Sequence, residues 1–310
     1  MTKIKQEYLY LISHVLNHQE LCEMEMRYIF NNSKSTKYHI TTEDINVSRS
    51  TFIRGKVTIL YRNTDFQDLK EEMLADNLKF DMYKIHFVKI DEVPYQDRLI
   101  SMRALGFTIE GSFAMSNPLV EFVLTKIEGE WIFGLYQPNP NNWIKRKQKP
   151  FNYSNALEVK VAKAIINIAI NNNFGLKLID PCCGIGTVLI EGREMGIDIK
   201  GYEINPLVKL HCNSNLEYFG FTGDVPKIDM HFSDEHFDVA ILDLPYGQFS
   251  LTTKEKQISL IKKTTEIADK SLIISMEDIS EIVSDLGLKV IDSCIIKKTN
   301  NFQRYISICE

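Results

Sequence analysis

The chain has 310 residues, 44% of them hydrophobic and 25% charged. That length accommodates two domains with a core in each, and the composition is that of an ordinary soluble globular protein. A formal net charge of −5 argues against indiscriminate binding to nucleic acid, and no uninterrupted apolar stretch reaches the ~18 residues of a membrane-spanning helix. A cytoplasmic protein without membrane contacts is therefore expected, with a monomer favoured.

The charge is uneven along the chain. Residues 1–150 carry 20 Lys+Arg and 19 Asp+Glu, a net of +1, so the remainder carries 16 against 22, a net of −6. A nearly neutral first half with local basic patches is compatible with an RNA partner. The six cysteines, at 22, 182, 183, 212, 294 and 309, show neither zinc-ribbon nor CxxC spacing. They read as reduced thiols, and no metal site is expected.

From the N-terminus, Tyr8–Ile12 superficially suggests the apolar part of a signal peptide. His14 and the run Asn17-His18-Gln19-Glu20 interrupt it, so it reads as a first strand. Gln19–Phe30 places Leu21, Met24 and Tyr28 at helical spacing, and Phe66–Asp76 does the same with Phe66, Leu69 and Met73. Strand-like runs surround them at 51–53, 57–61, 83–88, 119–124 and 131–133. Irregular interleaving of this kind indicates an α+β module.

The clearest boundary is the Pro- and Asn-rich stretch that starts at Gln137 and ends at Pro150. The division expected is an N-terminal region over 1–140, a basic linker over 141–155, and a second domain over 156–310. Lys145, Arg146, Lys147 and Lys149 form the densest basic patch and are candidate RNA phosphate contacts.

Beyond the linker the pattern becomes regular. A helix over Ala156–Ile170, with Ser154 or Asn155 as its N-cap, precedes strand 177–179. Then follow helix Thr187–Met195, strand Ile197–Tyr202 and a helix from Pro206 to about Tyr218. A short strand near Ile228, strand Phe237–Leu242, a helix near 256–268, strand 272–274, a helix near 278–286 and a closing strand pair complete the series. Alternating βα units ending in a strand pair predict an α/β, doubly wound, Rossmann-like sheet with an antiparallel edge.

Two motifs carry the chemistry. Asp180-Pro181-Cys182-Cys183-Gly184-Ile185-Gly186-Thr187 runs from a strand into a helix. Gly184 and Gly186 let the backbone approach a ligand closely, and the helix start beyond them offers free N–H groups to a carboxylate. A third glycine at position 189 would be needed for a dinucleotide fingerprint, and that residue is Leu189. Asp180, Cys182, Gly184, Gly186 and Thr187 are thus candidate cofactor contacts. Glu203, at the end of the next strand, is placed to accept from two ribose hydroxyls. Asp229, with Met230 beside it, is the candidate for the adenine end; Asp224 is the alternative.

The second motif, Asp243-Leu244-Pro245-Tyr246-Gly247, ends an apolar strand. The lone pair of an exocyclic ring amine is delocalised into the ring, so the amine is a poor nucleophile. The Asp243 carboxylate and the Leu244 carbonyl can accept its hydrogens and turn the lone pair toward an electrophile. Pro245 stiffens the loop, and Tyr246 can stack on a base. No cysteine stands here to serve carbon methylation. The two motifs in this order imply methylation of an exocyclic amine from S-adenosyl-L-methionine.

With these residues in view, the chain resembles the THUMP-containing RNA guanine-N2 methyltransferases, especially the tRNA guanosine-10 N2 family. The resemblance rests on Gly111–Pro118, Trp131–Gly134, Trp143–Arg146, Lys149–Ser154, both motifs above and Asp238–Asp243, with Ser48–Ile53 similar to an early strand of the family. It implies a Rossmann-like methyltransferase domain, a THUMP-like N-terminal region that grips tRNA, and S-adenosyl-L-methionine as methyl donor. It also implies that Ser154 approaches the methionine end of the cofactor. The chain has Asp-Leu-Pro-Tyr where the family has Asp-Pro-Pro-Tyr. The alternatives are an adenine-N6 methyltransferase of DNA or RNA, and a non-catalytic RNA-binding or assembly protein on a methyltransferase fold.

Overall fold

The computed structural model describes residues 5–31, 37–154, 156–245, 253–299 and 302–310. The chain divides into two compact units, and the division is not linear. One unit holds Met1–Ser13, Lys37–Ser48 and Phe52–Pro140; the other holds His14–Thr36, Arg49–Thr51 and Asn141–Glu310.

In chain order the elements begin with β1 (Tyr8–Ile12), α1 (Gln19–Ile29), β2 (Tyr38–Thr41), β3 (Ile53–Asn63), α2 (Phe66–Ala75) and β4 (Tyr83–Val88). They continue with α3 (Tyr95–Gly106), β5 (Val120–Ile127) and β6 (Glu130–Pro138). All of these except α1 build the first unit. Its sheet runs β2-β1-β3-β6-β5-β4 and is antiparallel except at β4–β5. Asp65 caps α2 by accepting from the Gln67 and Asp68 amides. That helix buries Leu69 and Met73 against Phe122 and Phe133, whose rings stack with centroids 5.0 Å apart. The helix α3 carries no helical periodicity in the sequence because its apolar Tyr95, Leu99 and Ile100 face solvent.

The second unit continues with α4 (Val159–Ile170), β7 (Lys177–Asp180), α5 (Thr187–Glu194), β8 (Asp198–Gly201), α6 (Pro206–Tyr218) and β9 (Phe237–Asp243). It ends with α7 (Lys254–Ile267), β10 (Ala268–Ser275), α8 (Ser280–Asp285), β11 (Val290–Thr299) and β12 (Phe302–Cys309). The sheet order is β11-β12-β10-β9-β7-β8. Strands β8, β7, β9 and β10 are parallel, and β12 joins β10 and β11 antiparallel. Helix α4 is buried nearly all round, as a helix covered on several sides must be; it packs on α1, α5, β9 and β10.

Four expectations change. The helix Gln19–Ile29 belongs with the second unit, where a buried polar cluster fixes it. Glu25 accepts from Ser50 Oγ at 2.6 Å and from Asn167 Nδ2 at 2.7 Å, and Arg49 Nε donates to Asn167 Oδ1 at 2.9 Å. The stretch Ser48–Ile53 is accordingly a 3-10 turn (Val47–Arg49) leading into β3, not a strand throughout. The helix after the linker starts at Val159 with Glu158 at its N-cap, so Ser154 is not the cap; Asn155 lies outside the described residues. The short strand near Ile228 is reduced to one bridge between Glu203 and Lys227.

Candidate active site

Strand β7 lies between β8 and β9. The chain leaves β7 toward β8 on one side, then crosses to β9 on the other. A crevice outside the carboxyl ends of the strands is the ligand position at such a reversal. Asp180 ends β7 and Asp243 ends β9, and the two strands pair at Leu178↔Val239 and Ile179↔Ala240. The two motifs are thereby brought together by the topology.

The loop after β7 is held by its own backbone. Cys183 N donates to the Tyr202 carbonyl, Tyr202 N to the Asp180 carbonyl, and Gly186 N to the Cys183 carbonyl. Gly184 has φ +54° and Gly186 has φ +83°, the left-handed region where glycine is unstrained. The two glycines serve different ends. A Cβ at Gly186 would stand 2.6 Å from Cys212 Sγ, whereas one at Gly184 would meet nothing within 4 Å. Gly186 is thus required by packing of the loop on α6, and Gly184 leaves space for something else. Thr187 begins α5, whose first amides are the free donors of a helix start.

Carboxylates ring this loop. Asp180 is buried and accepts from the Cys182 amide at 3.3 Å. Burial pushes its carboxyl well above the ordinary range, and the neighbouring Asp243 carboxylate adds to this, with Glu203 a smaller contributor. Glu203 is buried; its Oε2 accepts from Gly184 N at 3.0 Å and its Oε1 from Asn205 N at 2.8 Å. Desolvation raises its affinity for a proton, partly offset by those amides. Each oxygen keeps a second lone pair for a hydroxyl donor. Asp229 is half-buried and accepts from His231 N and Nδ1 at 3.0 and 2.8 Å. Burial works to raise its carboxyl, but the His231 hydrogen bonds hold it below the usual value. Burial also pushes the Cys182 thiol up, and the charges of Asp180, Glu203, Asp243 and Asp229 add to this.

The acceptor loop starts at Asp243. Its Oδ1 is buried and has no hydrogen-bond partner among the described residues, although the residue as a whole is only half-buried. Burial pushes the carboxyl up to about 7, against the pull of the Arg304 guanidinium. A buried unpaired carboxylate oxygen is costly, and a ligand amine would satisfy it. Leu244 is buried, and its amide donates to the Ile274 carbonyl at 2.9 Å. This bond adds a rung to the β9–β10 ladder that a proline at this position could not make. Pro245 is half-buried at the end of the described segment; Tyr246 and Gly247 lie outside the described residues.

Four candidates need revising. Arg146 is 6% exposed and directs Nε and Nη2 at Glu191, 2.5 and 2.9 Å away; it is a buried ion-pair partner and not a phosphate contact. Lys149 is half-buried and donates to Thr187 Oγ1 at 2.6 Å, and desolvation lowers its pKa to about 8. It is turned toward the start of α5 and away from solvent. Met230 is 2% exposed and packs in one core cluster with Phe237, Leu242 and Leu244, so its burial is that of a core residue. The segment 141–155 is not a free linker, because Trp143 and Arg146 are buried in a 3-10 turn, Asn142–Lys147. Lys145 and Lys147 remain exposed, as does Ser154.

Two residues escaped the sequence reading. Ile204, directly after Glu203, is 58% exposed and offers apolar surface beside the ribose position; an apolar residue following an acidic strand end was the available signal. Buried Asn215 joins the cofactor loop to the segment before α4, donating to both Phe151 O and Ile185 O at 3.0 Å and accepting from Phe151 N at 3.0 Å. A mid-helix asparagine gives no sequence signal for such a role.

Residues 146–277 match the family described as UPF0020, RMKL-like, methyltransferase domain. The chain is 28% identical over 179 residues to the tRNA (guanine(10)-N2)-dimethyltransferase of Pyrococcus abyssi, covering 54% of this chain and 53% of that one. It is 29% identical over 134 residues to the tRNA (guanine(10)-N2)-dimethyltransferase of Methanothermobacter thermautotrophicus, covering 42% and 40%. The chain thus spans about half or less of these two relatives' own length. The crystal structure of TrmN from Thermus thermophilus aligns over 98% of this chain and 99% of its own, with TM-score 0.52 and 12% identity. At that identity the likeness is one of fold.

Proposed function

We propose that this protein is an S-adenosyl-L-methionine-dependent RNA methyltransferase that modifies the exocyclic N2 amine of guanine in tRNA. The observation that carries the reading is the unpaired, buried Oδ1 of Asp243 beside the loop of Asp180, Gly184 and Glu203. The cofactor supplies an electrophilic sulfonium methyl group. The residues present fit it: open space at Gly184, lone pairs on Glu203 for the ribose, free amides at the start of α5 for a carboxylate, and Asp229 toward the adenine. Asp243 and the Leu244 carbonyl would hold the amine hydrogens and orient the nitrogen lone pair for attack on that methyl group. The N–C bond would form as the S–C bond breaks, S-adenosylhomocysteine would leave as the neutral thioether, and Asp243 or solvent would take the amine proton. Catalysis of this kind is mainly positioning. The N-terminal unit serves as a THUMP-like RNA grip, and Lys145 and Lys147, which belong to the second unit, serve as phosphate contacts.

Relatives named for guanine-N2 chemistry support this choice of base over adenine N6. Transfer of labelled methyl to total tRNA, followed by nucleoside analysis, decides between them. N2-methylguanosine or its dimethyl form is expected. Recovery of N6-methyladenine would replace the substrate, and absence of any methylated nucleoside with cofactor binding intact would refute the RNA assignment.

A further inference from the structure

Phe151, Tyr153 and His211 form an aromatic group at the surface beside the cofactor loop. The Phe151 and His211 rings stack with centroids 4.0 Å apart and planes at 11°. Tyr153 stands edge-on to the same imidazole at 5.8 Å and 69°, and its hydroxyl hydrogen-bonds to His211 Nδ1. Phe151 is 36% exposed and Tyr153 37%. These rings are not what fixes the segment. The Asn215 amide already holds Phe151 through its backbone N and O, and the same side chain holds Ile185 O in the cofactor loop. The side chains therefore stay partly in water on an anchored backbone, one residue from Gly184 and Gly186 in the chain of contacts.

We propose that Phe151, Tyr153 and His211 form a stacking platform for a nucleobase of the RNA substrate next to the one being methylated. This rests on the RNA methyltransferase reading above. A rigid aromatic face accepts the π-face of any base, and the exposed Lys145 and Lys147 of the preceding turn complement the phosphates on either side. A protein partner would need a larger apolar surface, whereas here the rings alternate with the exposed polar residues Asn152 and Ser154.

The full-length protein, wild type and the variants Phe151→Leu and Tyr153→Leu, is assayed for tRNA KM, kcat and cofactor Kd. The platform predicts a tRNA KM raised at least about fivefold per ring, with cofactor Kd unchanged. Unchanged tRNA KM would overturn it and leave the methyltransferase reading standing. A parallel loss of cofactor affinity would make the group a structural tether and also overturn it. If the wild type methylates no RNA, a short single-stranded oligoribonucleotide carrying 2-aminopurine decides the platform separately. Quenching by the wild type that both variants lose supports stacking, and no quenching by the wild type removes it.

Discussion

The two glycines of the cofactor loop separate folding from binding. Gly186→Ala places a methyl group against Cys212 at a left-handed φ, so thermal melts should show a loss of about 1–3 kcal/mol. Gly184→Ala meets only open space; its left-handed φ costs about 1 kcal/mol, but calorimetry should show cofactor affinity reduced by far more than that. Asp243 makes a sharper prediction. Its carboxyl titrates at about 7 in the fold against 3.8 for the free group. The folded state therefore holds the proton more tightly than the unfolded chain. The stability from this group is complete below 3.8 and is lost as pH rises through about 7. Asp243→Asn should melt higher than wild type at pH 8, and the gap should narrow as the pH falls below 7. The same variant should lose at least about a hundredfold in kcat. Buried Glu25 is raised to about 7 as well and shifts stability the same way, so the comparison with Asp243→Asn isolates the site. Asp180 and Glu203 were legible in the sequence as polar residues at strand ends. The unpaired oxygen of Asp243 was not, because its burial arises from tertiary packing and the guanidinium that acts on it, Arg304, lies about sixty residues further along the chain.

Among the elements, β9 and β10 carry the acceptor loop. The Leu244 amide bonds to Ile274, so the loop is tied to the sheet by a hydrogen bond where the resembling family has a proline ring. Leu244→Pro removes that rung and buried leucine packing together; a loss of about 2–4 kcal/mol is expected by chemical denaturation. The basic patch at 145–149 behaves as separate parts. Arg146→Ala removes both hydrogen bonds to Glu191, which is 0% exposed, and leaves it, among the described residues, only Lys163 Nζ at 3.9 Å; it should cost about 3 kcal/mol of stability. Lys145→Glu with Lys147→Glu should leave the melt unchanged and flatten the salt dependence of RNA binding. Sequence spacing placed most elements of the second unit to within a few residues, because βα alternation there follows burial directly. It mistook the patch for a linker, since a run of cations looks the same whether it meets solvent or buried carboxylates. It missed α3 for the converse reason, its apolar residues facing out.

At the level of the molecule, the order of strands β8-β7-β9 is what makes the chemistry local. Residues 180, 203 and 243 are scattered along the chain, yet they end on one edge of one sheet. That much follows from right-handed βα winding and was readable from the order of motifs. The division of the chain was less readable. The helix Gln19–Ile29 precedes most of the first unit in sequence yet packs on α4, with Glu25 meeting Asn167 across 142 positions. Nothing local to residues 19–29 announces that destination. Its consequence reaches the bench. A fragment cut at residue 140 to isolate the second unit would arrive without its own N-terminal helix, leaving α4 bare on one flank and Asn167 without its carboxylate. Such a fragment should express as an aggregate, while the same fragment joined by a short linker to a segment spanning 14–31 should be recovered in solution. On the ribosome, too, the second unit must wait for β12 while its first helix has long since emerged.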